Sequence, residues 1–249
     1  MLRRTMILWA LLIVMAGSVS AQQVPDATLM SMRAEVSVEG SGGTQLRGDF
    51  YAADMNTPTP AVLLLHMARR DRGDWQPFID PLLNGGYSVL AVDLRAHGES
   101  EGTLDWATGQ QDVTVWIDWL TVQPFVDPDH IAVIGASIGA NYALNVCAMD
   151  SRCDSVIALS PGLNYFNIMT EPAMEGLADR AVLLVAAHLD APSGNDVIEL
   201  VSAAQGEVGL QLYSGRGHGT DLFEDEQSGA ADTLIPLMLL WLDGHVGGE

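Results

Sequence analysis

The sequence contains no lysine. Its 11 basic residues are all arginine and face 32 Asp plus Glu, for a formal charge of −21. So negative a chain opposes binding to nucleic acid and to anionic membrane surfaces, and its charge keeps it in solution. Cysteine is scarce as well. Cys147 and Cys153 are the whole supply, too few for a disulfide-built scaffold or a Cys-based zinc site. The six His are scattered without ligand spacing, so no metal is expected, and no cofactor motif occurs. Repeats, low-complexity stretches and interdomain linkers are absent too. Hydrophobic residues make up 48% of the chain, which excludes disorder, and 249 residues suit one large α/β domain.

Long apolar runs are lacking. The run over residues 6–16 falls short of the roughly 20 needed to span a bilayer. Arg3 and Arg4 precede it and Val19-Ser-Ala21 follows it, the pattern of a secretory signal peptide cleaved after Ala21. The expected organisation is therefore a signal peptide (1–21), an N-terminal segment (22–33) and a single domain (34–249). The expected location is the periplasm or the medium. Cleavage removes two Arg and no acid, taking the charge from −21 to −23. In an exported protein Cys147 and Cys153 are expected to pair. Closing so short a loop stabilises by roughly 2–3 kcal/mol.

What is present is an alternation of apolar runs and amphipathic stretches. Residues 34–54 read as two antiparallel strands around a Gly-rich turn. Residues 61–65, 87–92, 130–134, 155–159 and 181–187 read as strands buried on both faces, and 210–213 as a last strand. Helices are expected over 75–84, 109–122, 141–149, 196–204 and 229–243, with a short connection over 163–179. Such alternation gives a mostly parallel central sheet with helices on both faces. Sites in such sheets lie at the C-terminal strand ends, where His66, Asp93, Ser137, Asp190 and His218 fall.

Gly135-Ala136-Ser137-Ile138-Gly139 matches G-x-S-x-G between an expected strand and an expected helix. That context puts Ser137 at the apex of a sharp turn. It also puts the Ile138 N–H at a helix start, aimed where an oxyanion would form. A serine nucleophile needs a base, and the base needs an orienting acid. His218, between Gly217 and Gly219 after the last strand, is the best base. Asp190, ending the preceding strand, is the best acid. Asp221 and Asp225 read as surface charges and Asp196 as a helix-start carboxylate. A His base predicts activity that is lost as the imidazole protonates.

These motifs, with residues 66–67 and 93–100, carry a clear resemblance to the α/β-hydrolase superfamily, covering roughly residues 34–245. The chain looks most like compact dienelactone-hydrolase-like esterases. Seventeen residues between Gly162 and Arg180 leave room for a minimal lid or none. The resemblance implies Ser137 as nucleophile, His218 as general base then acid, Asp190 as its orienter, and no cofactor. It implies an oxyanion hole from the N–H groups of Ile138 and Ala68, with His66 and His97 bracing loops. Met67 departs from the family's usual Gly and is expected to crowd or line the acyl pocket. Arg69 and Arg70 follow Ala68. They either grip a substrate carboxylate or pair with Asp71, Asp74 or Asp93. The implied partner is a small ester or thioester, and the oligomeric state is left open. A prolyl-oligopeptidase-type peptidase and a catalytically idle binding protein on the same scaffold stand as alternatives.

Overall fold

The computed structural model describes residues 33–246. The expected signal peptide, and all of the 22–33 segment except Arg33, lie outside the described residues. Strand β1 (Arg33–Glu39) begins one residue before the expected domain boundary. It pairs antiparallel with β2 (Gln45–Tyr51) across a 3₁₀ turn at Ser41–Gly43. The apolar runs become β3 (Thr59–Leu65), β4 (Ser88–Val92), β5 (Val126–Ala136) and β6 (Cys153–Leu159). β7 (Asn164–Tyr165) and β8 (Ile168–Met169) form a separate hairpin. β9 (Ala181–Ala187) and β10 (Val208–Tyr213) complete the eight-stranded sheet, in the order β1-β2-β4-β3-β5-β6-β9-β10. From β4 to β10 every pairing is parallel.

Side chains alternate along each strand, so one strand feeds two cores. Val62 and Leu64 join Phe78 and Leu82 of α1 (Gln76–Asn84) and Leu234 and Met238 of α6 (Ala230–His245). Leu63 and Leu65 join Trp116 and Ile117 of α2 (Trp106–Thr121) and Tyr142 of α3 (Ile138–Met149). Fully burying a side chain of this size stabilises by about 1.5–3 kcal/mol, so the doubly covered central strands anchor everything attached to their ends. The expected short connection contains the β7–β8 hairpin and α4 (Glu171–Gly176). α5 (Ser193–Ala203) packs on the α2–α3 side through Val197 and Leu200.

Three helices, α2, α3 and α5, start three residues earlier than their apolar periodicity indicates. α2 is capped by Asp105, whose carboxylate accepts the Thr108 N–H at 2.8 Å. α3 starts at Ile138, directly after Ser137; the low helix propensity of Gly139 hides that first turn. Cys147 near the end of α3 and Cys153 at the start of β6 form a disulfide, their Cα atoms 5.4 Å apart. Among the described residues no helix is long and apolar enough to cross a membrane.

Candidate active site

Ser137 stands between β5 and α3 with φ 54° and ψ −119°, a strained conformation for a residue with a side chain. Its N–H is tied to the Leu159 carbonyl at 2.8 Å, so the turn is anchored to the end of β6. Gly139 makes the close crossing possible: a Cβ there would meet the Leu65 carbonyl oxygen and stand 2.7 Å from that of His66. The Ser137 hydroxyl, only 9% exposed as a residue, lies 2.8 Å from His218 Nε2. His218 Nδ1 lies 3.0 and 2.9 Å from the two Asp190 oxygens. A carboxylate only accepts, so Nδ1–H donates to Asp190 and Nε2 is left to accept the Ser137 O–H. Asp190 follows β9 and is buried, its own carbonyl held by Gly194 N–H at 2.6 Å.

Two backbone donors near the turn are left without a partner among the described residues. Ile138 N–H is at the first position of α3, where no intrahelical partner exists. Ala68 N–H donates to no other described residue. Its direction is set by His66, whose Nδ1–H donates to the Met67 carbonyl at 2.6 Å. A trans peptide points its C=O and N–H opposite ways, so fixing the first aims the second. His66 Nε2 in turn accepts the Leu94 N–H at 2.9 Å, which bridges the loops after β3 and β4. His97 donates Nδ1–H to Arg95 O at 2.9 Å within its own loop.

His66 is fully buried, and that burial pushes its pKa down from 6.5 to about 4. Between those values the unfolded chain binds the extra proton and the folded chain does not. The contribution of neutral His66 is fully present above about pH 6.5 and should be lost as pH falls to about 4, on the order of 3 kcal/mol in all. Urea unfolding at pH 7, 5.5 and 4 checks this. His66→Asn should show a shallower slope across that window, and an unchanged slope would contradict the assignment.

The structure separates the remaining sequence candidates. Asp93 accepts from the backbone N–H groups of Arg72 and Glu99, each at 2.8 Å, and from the Arg72 guanidinium, so it serves the loop. Asp196 accepts Leu163 N–H at 2.9 Å. Asp225 accepts Ser228 N–H at 3.2 Å. Met67 is buried, 5% exposed, with its sulfur against Gly219, the residue after His218. Arg70, half exposed, pairs with Asp221 at 2.9 Å and with Asp74 at 3.7 Å. Arg69 is exposed, with φ 65°, and makes no ion pair with a described residue.

Three hydroxyl residues beside His218 escaped the motif search. Ser160, buried at the end of β6, accepts Gly219 N–H at 2.8 Å. Ser193 donates to the Ser160 carbonyl at 3.1 Å and lies 2.6 Å from the Tyr165 hydroxyl. Burial pushes the Tyr165 phenol up to about 12, so it stays a neutral hydrogen-bonding group. This network joins the loops that carry Asp190 and His218. The Ser160-Pro-Gly162 turn was the only local sign of it. Among the described residues no group of three or more His, Cys, Asp or Glu side chains is placed to hold a metal ion.

A family model described as the alpha/beta hydrolase fold matches residues 60–208. An uncharacterized protein of Mycobacterium tuberculosis is 31% identical over 128 residues, 51% of this chain and 46% of that one. The quorum-quenching protein AidA of Acinetobacter baumannii is 26% identical over 166 residues, 59% of this chain and 55% of that one. The chain spans about half the length of the curated relatives it matches. An esterase of Pyrococcus furiosus superposes with a TM-score of 0.76 at 19% identity, covering 88% of this chain and 92% of that one. A dienelactone hydrolase from Anabaena variabilis superposes with a TM-score of 0.70 at 18% identity, covering 87% and 99%. Both likenesses are of fold.

Proposed function

Because this chain belongs to the α/β-hydrolase family, we propose that it cleaves small carboxylic esters or thioesters by way of a covalent acyl-enzyme on Ser137. The observation that carries the reading is the unbroken line Asp190–His218–Ser137, with contacts of 2.9 and 2.8 Å. In this reading Ser137 Oγ attacks the carbonyl carbon as its proton passes to His218 Nε2. Asp190 holds the resulting imidazolium in place. Ile138 and Ala68 N–H receive the negative oxygen of the tetrahedral intermediate. As that intermediate collapses, His218 returns the proton to the departing alcohol or thiol oxygen or sulfur, leaving the acyl group on Ser137. Water, deprotonated by His218, then attacks the acyl carbon. Collapse releases the acid and restores the Ser137 hydroxyl.

The reading includes export. Its support is the leader pattern in residues 1–21 together with a disulfide of the kind oxidising compartments maintain. One experiment tests both parts. Cells expressing the full chain are treated with a fluorophosphonate, and the labelled protein is fractionated, weighed intact and mapped. Label on Ser137 of a chain starting at residue 22, recovered outside the cytoplasm, is the expected result. Absence of label overturns the nucleophile, and an uncleaved cytoplasmic chain overturns export. Rates on p-nitrophenyl esters should exceed those on peptide anilides; the reverse would favour a peptidase.

A further inference from the structure

We propose that the alcohol portion of the substrate is a neutral aromatic group, or one equally flat and apolar, held against Phe166. This rests on the reading of Ser137 and His218 as nucleophile and base. The observation behind it is an arc of rings from four connections of the sheet. His66 lies 5.2 Å from His97, and His97 lies 5.8 Å from Trp106, centroid to centroid. Trp106 stacks on Phe166 at 4.2 Å with 13° between planes. Tyr165, the chain neighbour of Phe166, stands edge-on to His218 at 6.4 Å. Both ends of the arc reach the elbow: His218 bonds Ser137, and the His66 carbonyl lies against Gly139. Its His218 end is bonded directly to the Ser137 hydroxyl.

Core packing does not account for Phe166, which is 50% exposed. It and Asn167 form the tip of the β7–β8 hairpin with φ 54° and 68°, two consecutive left-handed residues that are not glycine. A two-residue hairpin loop of this type requires positive φ at both positions. Its result is a phenyl ring with one face on Trp106 and the other open. Trp106 is itself fixed, its carbonyl accepting the Tyr142 hydroxyl at 2.7 Å. Leu104 and Leu189, 57% and 48% exposed, lie on the loops leading to Trp106 and Asp190, so apolar surface gathers at this end of the sheet. The chain's formal charge of −21 disfavours an anionic guest, and of the three arginines that follow Ala68, Arg70 and Arg72 are held in ion pairs while Arg69 makes none with a described residue.

The side of the ester follows from the chemistry. His218 must deliver its proton to the leaving oxygen, so the alcohol lies on the His218 side. Tyr165 stands there, edge-on to His218, and Phe166 is the next residue of the same hairpin. An offset stack on an open phenyl face is worth about 0.5–1.5 kcal/mol.

The test uses full-length protein with phenyl acetate and ethyl acetate, which share an acyl group. In Phe166→Ala the phenyl-over-ethyl preference in kcat/KM should fall about 2- to 13-fold, and Phe166→Trp should restore it. An unchanged preference would overturn the proposal. So would a change that appears instead between acetate and hexanoate esters of one alcohol, because the ring would then serve the acyl group. If Ser137→Ala remained active, the nucleophile reading would fail and take this one with it. If that variant is inactive and the preference is unmoved by Phe166→Ala, only the alcohol site is wrong.

Discussion

Ser137→Ala should hydrolyse p-nitrophenyl acetate about 10,000-fold more slowly than the parent, or worse, while unfolding in urea within about 1 kcal/mol of it. Activity drops because Ser137 Oγ is the hydroxyl bonded to His218 Nε2 among the described residues. Stability holds because the hydroxyl makes one hydrogen bond, to a His218 side chain that is about one-third exposed. Everything else that shapes the turn is backbone: the Leu159 tie to Ser137 N–H, and the Gly135 and Gly139 crossings. Alanine at 137 inherits the same positive φ at a similar cost. A variant that kept most of its activity would remove Ser137 from the chemistry.

The largest effect on stability is expected at Gly135, two residues upstream. A methyl group there would be driven into the Gly139 carbonyl and would stand 2.5 Å from the Ala140 nitrogen. All of these atoms are backbone, so no rotamer change relieves the clash. β5 and α3 would have to part. Overpacking in a core usually costs about 1–3 kcal/mol, and a clash with main chain on both sides of a turn should exceed that. Gly135→Ala is expected to lose about 3–5 kcal/mol or to be recovered only as insoluble protein. Gly244, in the last turn of α6, supplies the control, since a Cβ there meets nothing within 4 Å. Gly244→Ala should be neutral or gain up to about 1 kcal/mol. Urea midpoints of both variants decide the matter, and a Gly135→Ala protein as stable as Gly244→Ala would refute the packing described for the elbow.

How far the sequence could be read depended on how local each signal was. The strands that cross the sheet centre were legible because burial on both faces demands continuous apolar runs. The elbow was legible because a turn so sharp needs Gly135 and Gly139 at set spacing. The order of Ser137, Asp190 and His218 along the chain also suffices to bring the three side chains into one hydrogen-bonded line. The two-residue strands β7 and β8 were not legible, since no periodicity fits into two residues. The neighbour of Met67 was not legible for a related reason: Gly219, against which its sulfur lies, stands 152 positions further on. Arg70 shows both cases at once. Its partner Asp74 is four residues away, whereas its partner Asp221 comes from the far end of the chain. Ser160 and Ser193 carry no local mark, because a lone serine acquires meaning only from the backbone group that tertiary structure brings to it.

The helix that carries Ser137 is fastened to a single strand at both of its ends. At the upper end Ser137 N–H is bonded to Leu159, the last residue of β6. At the lower end the disulfide joins Cys147 to Cys153, the first residue of β6. Twelve helical residues at about 1.5 Å each and seven strand residues at about 3.3 Å each cover comparable lengths, roughly 18 and 23 Å. Helix and strand thus behave as one braced beam, with β5 along its flank. The nucleophile rides on the stiffest member of the molecule and has little compliance of its own. Whatever adjustment a substrate requires must come from the parts hung on the beam's end, above all the β7–β8 hairpin, which begins four residues after β6 ends and holds only two residues in each strand.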